Sequence, residues 1–130
     1  MKCLVVDDSA TMRRILRNLL LVLGAGGVVE AQDGKQALER CDAAVGLVAT
    51  GWNLPTMSGI ELTRTLRANP ETANVRIIMV SSRNRKSDVQ AAIAAGANDY
   101  VLKPFVPETL RLKLEGLMRG PPGPEQAKAA

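Results

Sequence analysis

Residues 2–9 read KCLVVDDS (Lys2-Cys3-Leu4-Val5-Val6-Asp7-Asp8-Ser9), an apolar run that ends on two carboxylates and a hydroxyl. A strand wetted on one face alternates apolar and polar side chains, whereas a strand covered on both faces stays apolar throughout. CLVV is of the second kind, and RIIMVS at residues 76–81 repeats it. Strands of this kind belong to parallel sheets, whose crossover connections are helices that cover both faces.

Working outward, strand-like runs occur at Lys2 to Val6, Gly27 to Ala31, Gly46 to Thr50, Arg76 to Ser81 and Asp99 to Leu102, each followed by a helical pattern. The spacing predicts five βα units, an α/β fold with one parallel sheet. Met12, Ile15, Leu16, Leu19 and Leu23 recur at helical spacing behind Ser9 as a cap, and Gly24 can close that helix in a left-handed conformation. Asp33 with Gln36, Ser58 with Glu61 and Ser87 with Gln90 have the spacing of capping boxes. Asn69-Pro70 stops the third helix and Gly96 the fourth, while Pro107 suits the first turn of a fifth that buries Leu110, Leu114 and Leu117. These units make one domain over residues 1–118. Residues 119–130 lack apolar periodicity and are expected to form a disordered tail.

Composition narrows the function classes. The apolar fraction is 46%, yet Trp52, Tyr100 and Phe105 are the only aromatics, so the core is aliphatic. No apolar run approaches the roughly 18 residues of a membrane span, and the first residues enter a strand where a signal peptide would differ. A cytoplasmic protein is expected. Cys3 and Cys41 follow no disulfide or metal-ligand spacing and read as reduced packing residues. The net charge of +4 is spread along the chain with no concentrated basic block, which argues against nucleic-acid binding.

In an open parallel sheet, ligands bind outside the carboxyl ends of the strands, where strand order reverses. That rule selects Asp7 and Asp8 after the first strand, Gly51 after the third, Ser81 and Ser82 at the end of the fourth, and Lys103 after the fifth. Two adjacent carboxylates suit a hard cation such as magnesium, and a hydroxyl with an ammonium can hold phosphoryl oxygens. The bland alternative is that Asp7-Asp8 only complement the dipole of the first helix.

The joint, ordered occurrence of VVDDS, WNLPTMSGIEL, MVSS and DYVLKPF over about residues 1 to 118 resembles the receiver domain of two-component response regulators, of the free-standing CheY-like chemotaxis type. The resemblance implies a flavodoxin-like fold with strand order 2-1-3-4-5. It implies that Asp7, Asp8 and the backbone carbonyl of Asn53 match the magnesium ligands, Ser81 the switch hydroxyl, Tyr100 the aromatic that swings inward on activation, and Lys103 the lysine of the pocket, followed by a usually cis proline. The family's phosphoacceptor aspartate ends the third strand. Here that position is Gly51, which has no side chain to phosphorylate.

The loss changes the pocket's charge as well as its chemistry. Asp7, Asp8, a third aspartate and Lys103 would sum to −3 + 1 = −2, whereas here the sum is −2 + 1 = −1, so magnesium binding is expected to be weak or absent. Two carboxylates about 4 Å apart at an effective dielectric of about 20 repel by about 4 kcal/mol, so a cation is still wanted. Lys103 is one and Arg83, two residues after Ser81, is another that can reach the pocket mouth; alternatively Arg83 is a solvated arginine beside Arg85 and Lys86.

The leading reading is a non-enzymatic binding module that contacts signalling proteins, such as a histidine kinase or a downstream target. By resemblance it uses the fourth helix, fifth strand and fifth helix, with Ala91, Ala95, Tyr100 and Lys103 on that face. A second reading keeps phosphotransfer, either with Thr50 or Asp8 as acceptor or as an acceptor-site variant of an ordinary phosphorelay protein. Thr50 adjoins the lost position, but strand neighbours point to opposite faces. A flavodoxin-type redox protein is disfavoured, since VVDDSATM places acid where a flavin phosphate would bind and Trp52 lacks an aromatic companion in the corresponding loops.

Overall fold

The computed structural model describes residues 1–119, and the tail expectation for 120–130 lies outside the described residues. Ten elements alternate along the chain: β1 (Lys2–Val6), α1 (Ala10–Val22), β2 (Gly27–Ala31), α2 (Gly34–Arg40), β3 (Val45–Thr50), α3 (Gly59–Ala68), β4 (Arg76–Ser81), α4 (Lys86–Ala95), β5 (Asp99–Leu102) and α5 (Pro107–Met118). All neighbouring strands pair in parallel, in the order β2-β1-β3-β4-β5. The parallel sheet is the one the apolar runs predict, and its strand order is the flavodoxin-like one that the family resemblance implies.

Alternation along each strand divides the core in two. Cys3, Val5, Leu47, Ala49, Ile78 and Val80 face Leu16 and Leu20 of α1 and Leu110 and Leu114 of α5. Leu4, Val6, Val48, Ile77 and Met79 face Ala37 of α2, Leu62 and Leu66 of α3 and Ala92 of α4. Each fully buried Leu or Ile contributes about 1.5–3 kcal/mol of transfer free energy. With so few rings available, branched aliphatics carry the packing on both faces.

Local signals resolve mostly as expected, with instructive departures. Ser9, Asp33 and Ser58 accept from the N–H groups of Met12, Gln36 and Glu61. The return arm of the Asp33 cap goes one residue further back, because Gln36 Oε1 accepts from Gln32 N–H at 2.9 Å. Gly24 and Gly96 both adopt positive φ, 103° and 119°, at helix ends. The Ser87–Gln90 box does not form: α4 starts earlier, with Arg85 at its N-cap and the Asp88 carboxylate accepting the Arg85 N–H at 3.3 Å. A carboxylate serves that terminus better than an amide, since it also meets the positive end of the helix dipole. β3 starts at Val45, one residue before the expected Gly46, and the β1–β3 register slips there, pairing Lys2 with Val45 but Cys3 with Leu47.

Arg67 fastens the pole of the sheet away from the strand carboxyl ends. Its guanidinium donates to the carbonyls of Ala73, Val75 and Gly96 and to Asn98 Oδ1, tying the end of α3 to the β4 entry and the α4–β5 turn. At the other pole, the loop after β3 is strapped to α2. Thr56 sits at φ 67°, Gly34 N–H donates to the Pro55 carbonyl, and Lys35 N–H donates to Thr56 Oγ1.

The start of α3 is pressed onto the end of β3. A Cβ on Gly59 would lie 2.0 Å from the Gly51 carbonyl oxygen, a backbone atom with no freedom to withdraw. Gly59→Ala is expected to cost about 2–3 kcal/mol by overpacking, seen as a melting temperature lowered by about 10 °C; an unchanged melt would refute the close approach.

The thiols supply a second check. Cys3 is fully buried, and burial pushes its thiol pKa above 9.0, opposed in part by the N-terminal ammonium. Burial also raises Cys41, Asp42 adds to the rise and Lys2 opposes it. Folding holds both thiols neutral at pH values where the unfolded chain ionises them, so stability present below pH 9.0 is lost as pH rises above it. The expected outcome is slow native labelling of Cys41, labelling of Cys3 only in denaturant, and an alkaline loss of stability that is shallower in Cys3→Ala.

Candidate functional site

The parallel register brings the ends of β1, β3, β4 and β5 to one edge of the sheet, where Asp7, Asp8, Gly51, Ser81, Ser82 and Lys103 line a cleft of about 220 Å³. Asp7 is its centre and is only 2% exposed. Its Oδ2 accepts from Lys103 Nζ at 3.0 Å and its Oδ1 from Ser9 N–H at 2.9 Å. The backbone of Asp7 is held too, since Arg13 donates to its carbonyl at 2.6 Å. Asp8, by contrast, is exposed. The environments of the two acids thus differ: one is part of the protein's internal pairing and the other is open to a solute.

Lys103 is oriented from two directions. Its N–H donates to the Ser81 carbonyl at 2.8 Å, continuing the β4–β5 pairing beyond the last strand residue. The Lys103–Pro104 peptide is cis.

Gly51 is buried, with its N–H bonded to the Val6 carbonyl at 2.9 Å. Glycine is not demanded by the backbone here, because among the described residues the positive-φ glycines are Gly24 and Gly96. A Cβ added at Gly51 would point at the acidic cleft, 3.3 Å from Asp7 Oδ2 and 3.4 Å from Leu54 Cδ2. Those contacts are tight, and a small adjustment of the Leu54 and Asp7 side chains accommodates them. Thr50 does point the other way: it is fully buried, and its hydroxyl donates to the Gly51 carbonyl at 2.9 Å.

Ser81 is 4% exposed, and its Oγ accepts from Arg83 N–H at 3.1 Å. Ser82 is exposed at the cleft. Arg83 neither enters the cleft nor floats in solvent. Its guanidinium carbon lies 4.6 Å from the Trp52 ring centroid, its Nη2 donates to Asn53 Oδ1 at 3.1 Å and its Nη1 is 3.6 Å from Asp88 Oδ1. The cation expected at the pocket mouth is therefore spent on the rim.

Two residues assigned to a partner face are turned inward. Tyr100 is 6% exposed with its hydroxyl donating to the Arg83 carbonyl at 2.8 Å, and Lys103 reaches for Asp7. Ala91 and Ala95 are half-buried. The large apolar side chains left open on these elements are Ile93 on α4, Leu102 on β5, Val106 before α5 and Leu112 on α5. Sequence reading missed them because it sought the face by resemblance; Leu102 and Val106 on either side of KPF were the available signal.

For a hard cation, the cleft offers the carboxylates of Asp7 and Asp8, and Asn53, whose backbone carbonyl is the third expected ligand, lines it with them. Among the described residues no group of three His, Cys, Asp or Glu gathers to hold a metal ion. Magnesium commonly keeps several waters and one or two carboxylates, so this donor set fits a water-rich site in which Lys103 competes for Asp7. No helix of the described residues is long and apolar enough to cross a membrane.

Comparison with known proteins gives a consistent result. Residues 3–115 match the family model described as the response regulator receiver domain. The chain is 44% identical over 117 residues to chemotaxis protein CheY1 of Helicobacter pylori strain J99, covering 88% of this chain and 94% of the relative. It is 43% identical over 120 residues to a CheY homolog of Campylobacter jejuni, covering 91% and 92%. Among solved structures, the chemotaxis response regulator CheY4 of Vibrio cholerae superposes with a TM-score of 0.80 at 29% identity, over 90% of this chain and 98% of that one.

Removing the Lys103 ammonium strands the Asp7 carboxylate. Lys103→Met is expected to cost about 2–3 kcal/mol in urea denaturation, somewhat below a fully buried pair because the lysine is partly exposed. Undiminished stability would mean that Asp7 does not depend on the pair.

Proposed function

The chain belongs to the family of response regulator receiver domains, and we propose that it is a receiver without the usual phosphoacceptor, acting as a protein-binding module in chemotaxis-type two-component signalling independently of aspartyl phosphorylation. One observation carries the reading. The β3 end presents Gly51 beside the Asp7 carboxylate that Lys103 pairs with, and a side chain there would have pointed between Asp7 and Leu54.

Acyl-phosphate formation needs a carboxylate nucleophile in line with the donor phosphorus. Thr50 is a poor substitute, since its hydroxyl is fully buried and bonded to the Gly51 carbonyl. Asp8 is exposed and is the alternative acceptor to be tested. Asp7, Asp8 and the Asn53 carbonyl are the groups that would hold magnesium, weakly. When bound, the ion supplies charge neutralisation for phosphoryl oxygens. In this chain Lys103 balances Asp7, Ser81 is engaged by the loop that follows it, and Tyr100 points inward, so the protein's own residues set the conformation that a partner meets. The exposed Ile93, Leu102 and Val106 give the α4/β5/α5 face apolar contact surface for a signalling protein.

Intact mass after incubation with acetyl phosphate and magnesium tests this reading, with Gly51→Asp as the control. The expected outcome is one phosphoryl group on the variant and none on the parent. A phosphorylated parent overturns the proposal, and mapping the modified residue then distinguishes Asp8 from Thr50.

A further inference from the structure

Three residues from three different segments form a closed ring of contacts beside the cleft, two between side chains alone and one to a backbone carbonyl. The Arg83 guanidinium stacks on Trp52, with its carbon 4.6 Å from the ring centroid. Trp52 meets Tyr100 in a T-shaped contact, centroids 6.4 Å apart with planes at 68°. The Tyr100 hydroxyl closes the ring by donating to the Arg83 carbonyl at 2.8 Å. Trp52 lies in the β3–α3 loop, Arg83 in the β4–α4 loop and Tyr100 on β5, so the ring spans the three segments that bound one side of the cleft.

Further bonds brace the ring from outside. Arg83 Nη2 donates to Asn53 Oδ1, Arg83 Nη1 approaches Asp88 in the first turn of α4, and Arg83 N–H donates to Ser81 Oγ. A guanidinium suits this place, because one planar group can stack on a ring while its edge donates in two directions. An ammonium cannot do both. Trp52, Tyr100 and Arg83 thus hold one another without any group from outside the chain.

We propose that Arg83 is a positioning residue, a latch that keeps Tyr100 inward and the β4–α4 loop drawn against the β3–α3 loop with no phosphoryl group present. Its side chain holds Trp52, which packs on the Tyr100 ring, and ties the loop carrying the carbonyl that receives the Tyr100 hydroxyl to Asn53 and Asp88, so releasing the guanidinium loosens both supports of the aromatic. The importance of Tyr100 to partner binding rests on the receiver reading above; the latch itself concerns only these contacts.

The chain has one Trp and one Tyr, so both partners of the latch can be read directly. The experiment compares the parent, Arg83→Met and Arg83→Lys in the absence of phosphodonor. It records Trp52 emission, amide exchange at residues 52–54 and 82–85, and the rate of Tyr100 nitration by tetranitromethane. Arg83→Met is expected to red-shift the emission, speed loop exchange about tenfold and speed nitration several-fold, with the melting temperature little changed. Arg83→Lys should behave like Arg83→Met, since a point charge does not replace the stacked fork. Trp52→Leu breaks the ring at its other side and should speed nitration similarly.

Nitration as slow in Arg83→Met and Trp52→Leu as in the parent overturns the latch, whatever happens to the emission. Restoration by Arg83→Lys also overturns it, because charge alone would then suffice. Either result leaves the acetyl phosphate outcome untouched, so failure of the latch and failure of the acceptor-free reading are separable.

Discussion

A carboxylate that is 2% exposed must be held by something, and in this chain Asp7 is held from the far end of the sequence. Its partner Lys103 lies 96 residues away, at the end of the last strand. That pair can form only if β1, β3, β4 and β5 run in the same direction and finish at the same level. The parallel register, the crossover helices and the two-faced aliphatic core all serve that alignment. An ionised group left alone in such surroundings is costly, and breaking a buried pair costs more than the pair itself contributes. The acidic cleft is therefore a condition on the fold as well as a product of it.

Much of this was legible from residue order because the determining features are local. Continuous apolar runs such as CLVV and RIIMVS mark strands covered on both faces, and their hydrophobicity needs no knowledge of partners. Helix ends at Gly24, Asn69 and Gly96 follow from backbone preference alone. The rule that ligands lie beyond strand carboxyl ends then collects Asp7, Gly51, Ser81 and Lys103 without any coordinate.

What sequence did not convey depends on competition between distant groups. Ser87 has the right spacing for a cap, but Asp88 one residue later offers a full charge to the Arg85 N–H and draws in Arg83, so the helix starts earlier. Arg83 itself could have turned to the acids; Lys103 already neutralises Asp7, and Trp52 and Asn53 offer a stack and an acceptor together. Family likeness gives Tyr100 and Lys103 two places each, in the pocket or switch and on a partner face, and residue order alone does not show that Arg83 and Asp7 hold both of them inward. The slip at Gly46 likewise depends on how β1 pairs with β3, which the run VGLVAT alone does not show.

Arg67 has a mechanical consequence. Its donors are spread over three carbonyls and an amide oxygen from the α3 exit, the β4 entry and the α4–β5 turn, which clamps the amino-terminal ends of β4 and β5. At the opposite pole the loops are joined by the buried Asp7 carboxylate with Lys103 and, nearer the surface, by the partly exposed side chain of Arg83. The two poles are thus fastened in different ways, one by main-chain carbonyls gathered under a single guanidinium and the other by side chains that reach across the cleft. A substitution at Arg67 would therefore loosen the far end of the sheet without touching any residue that lines the cleft.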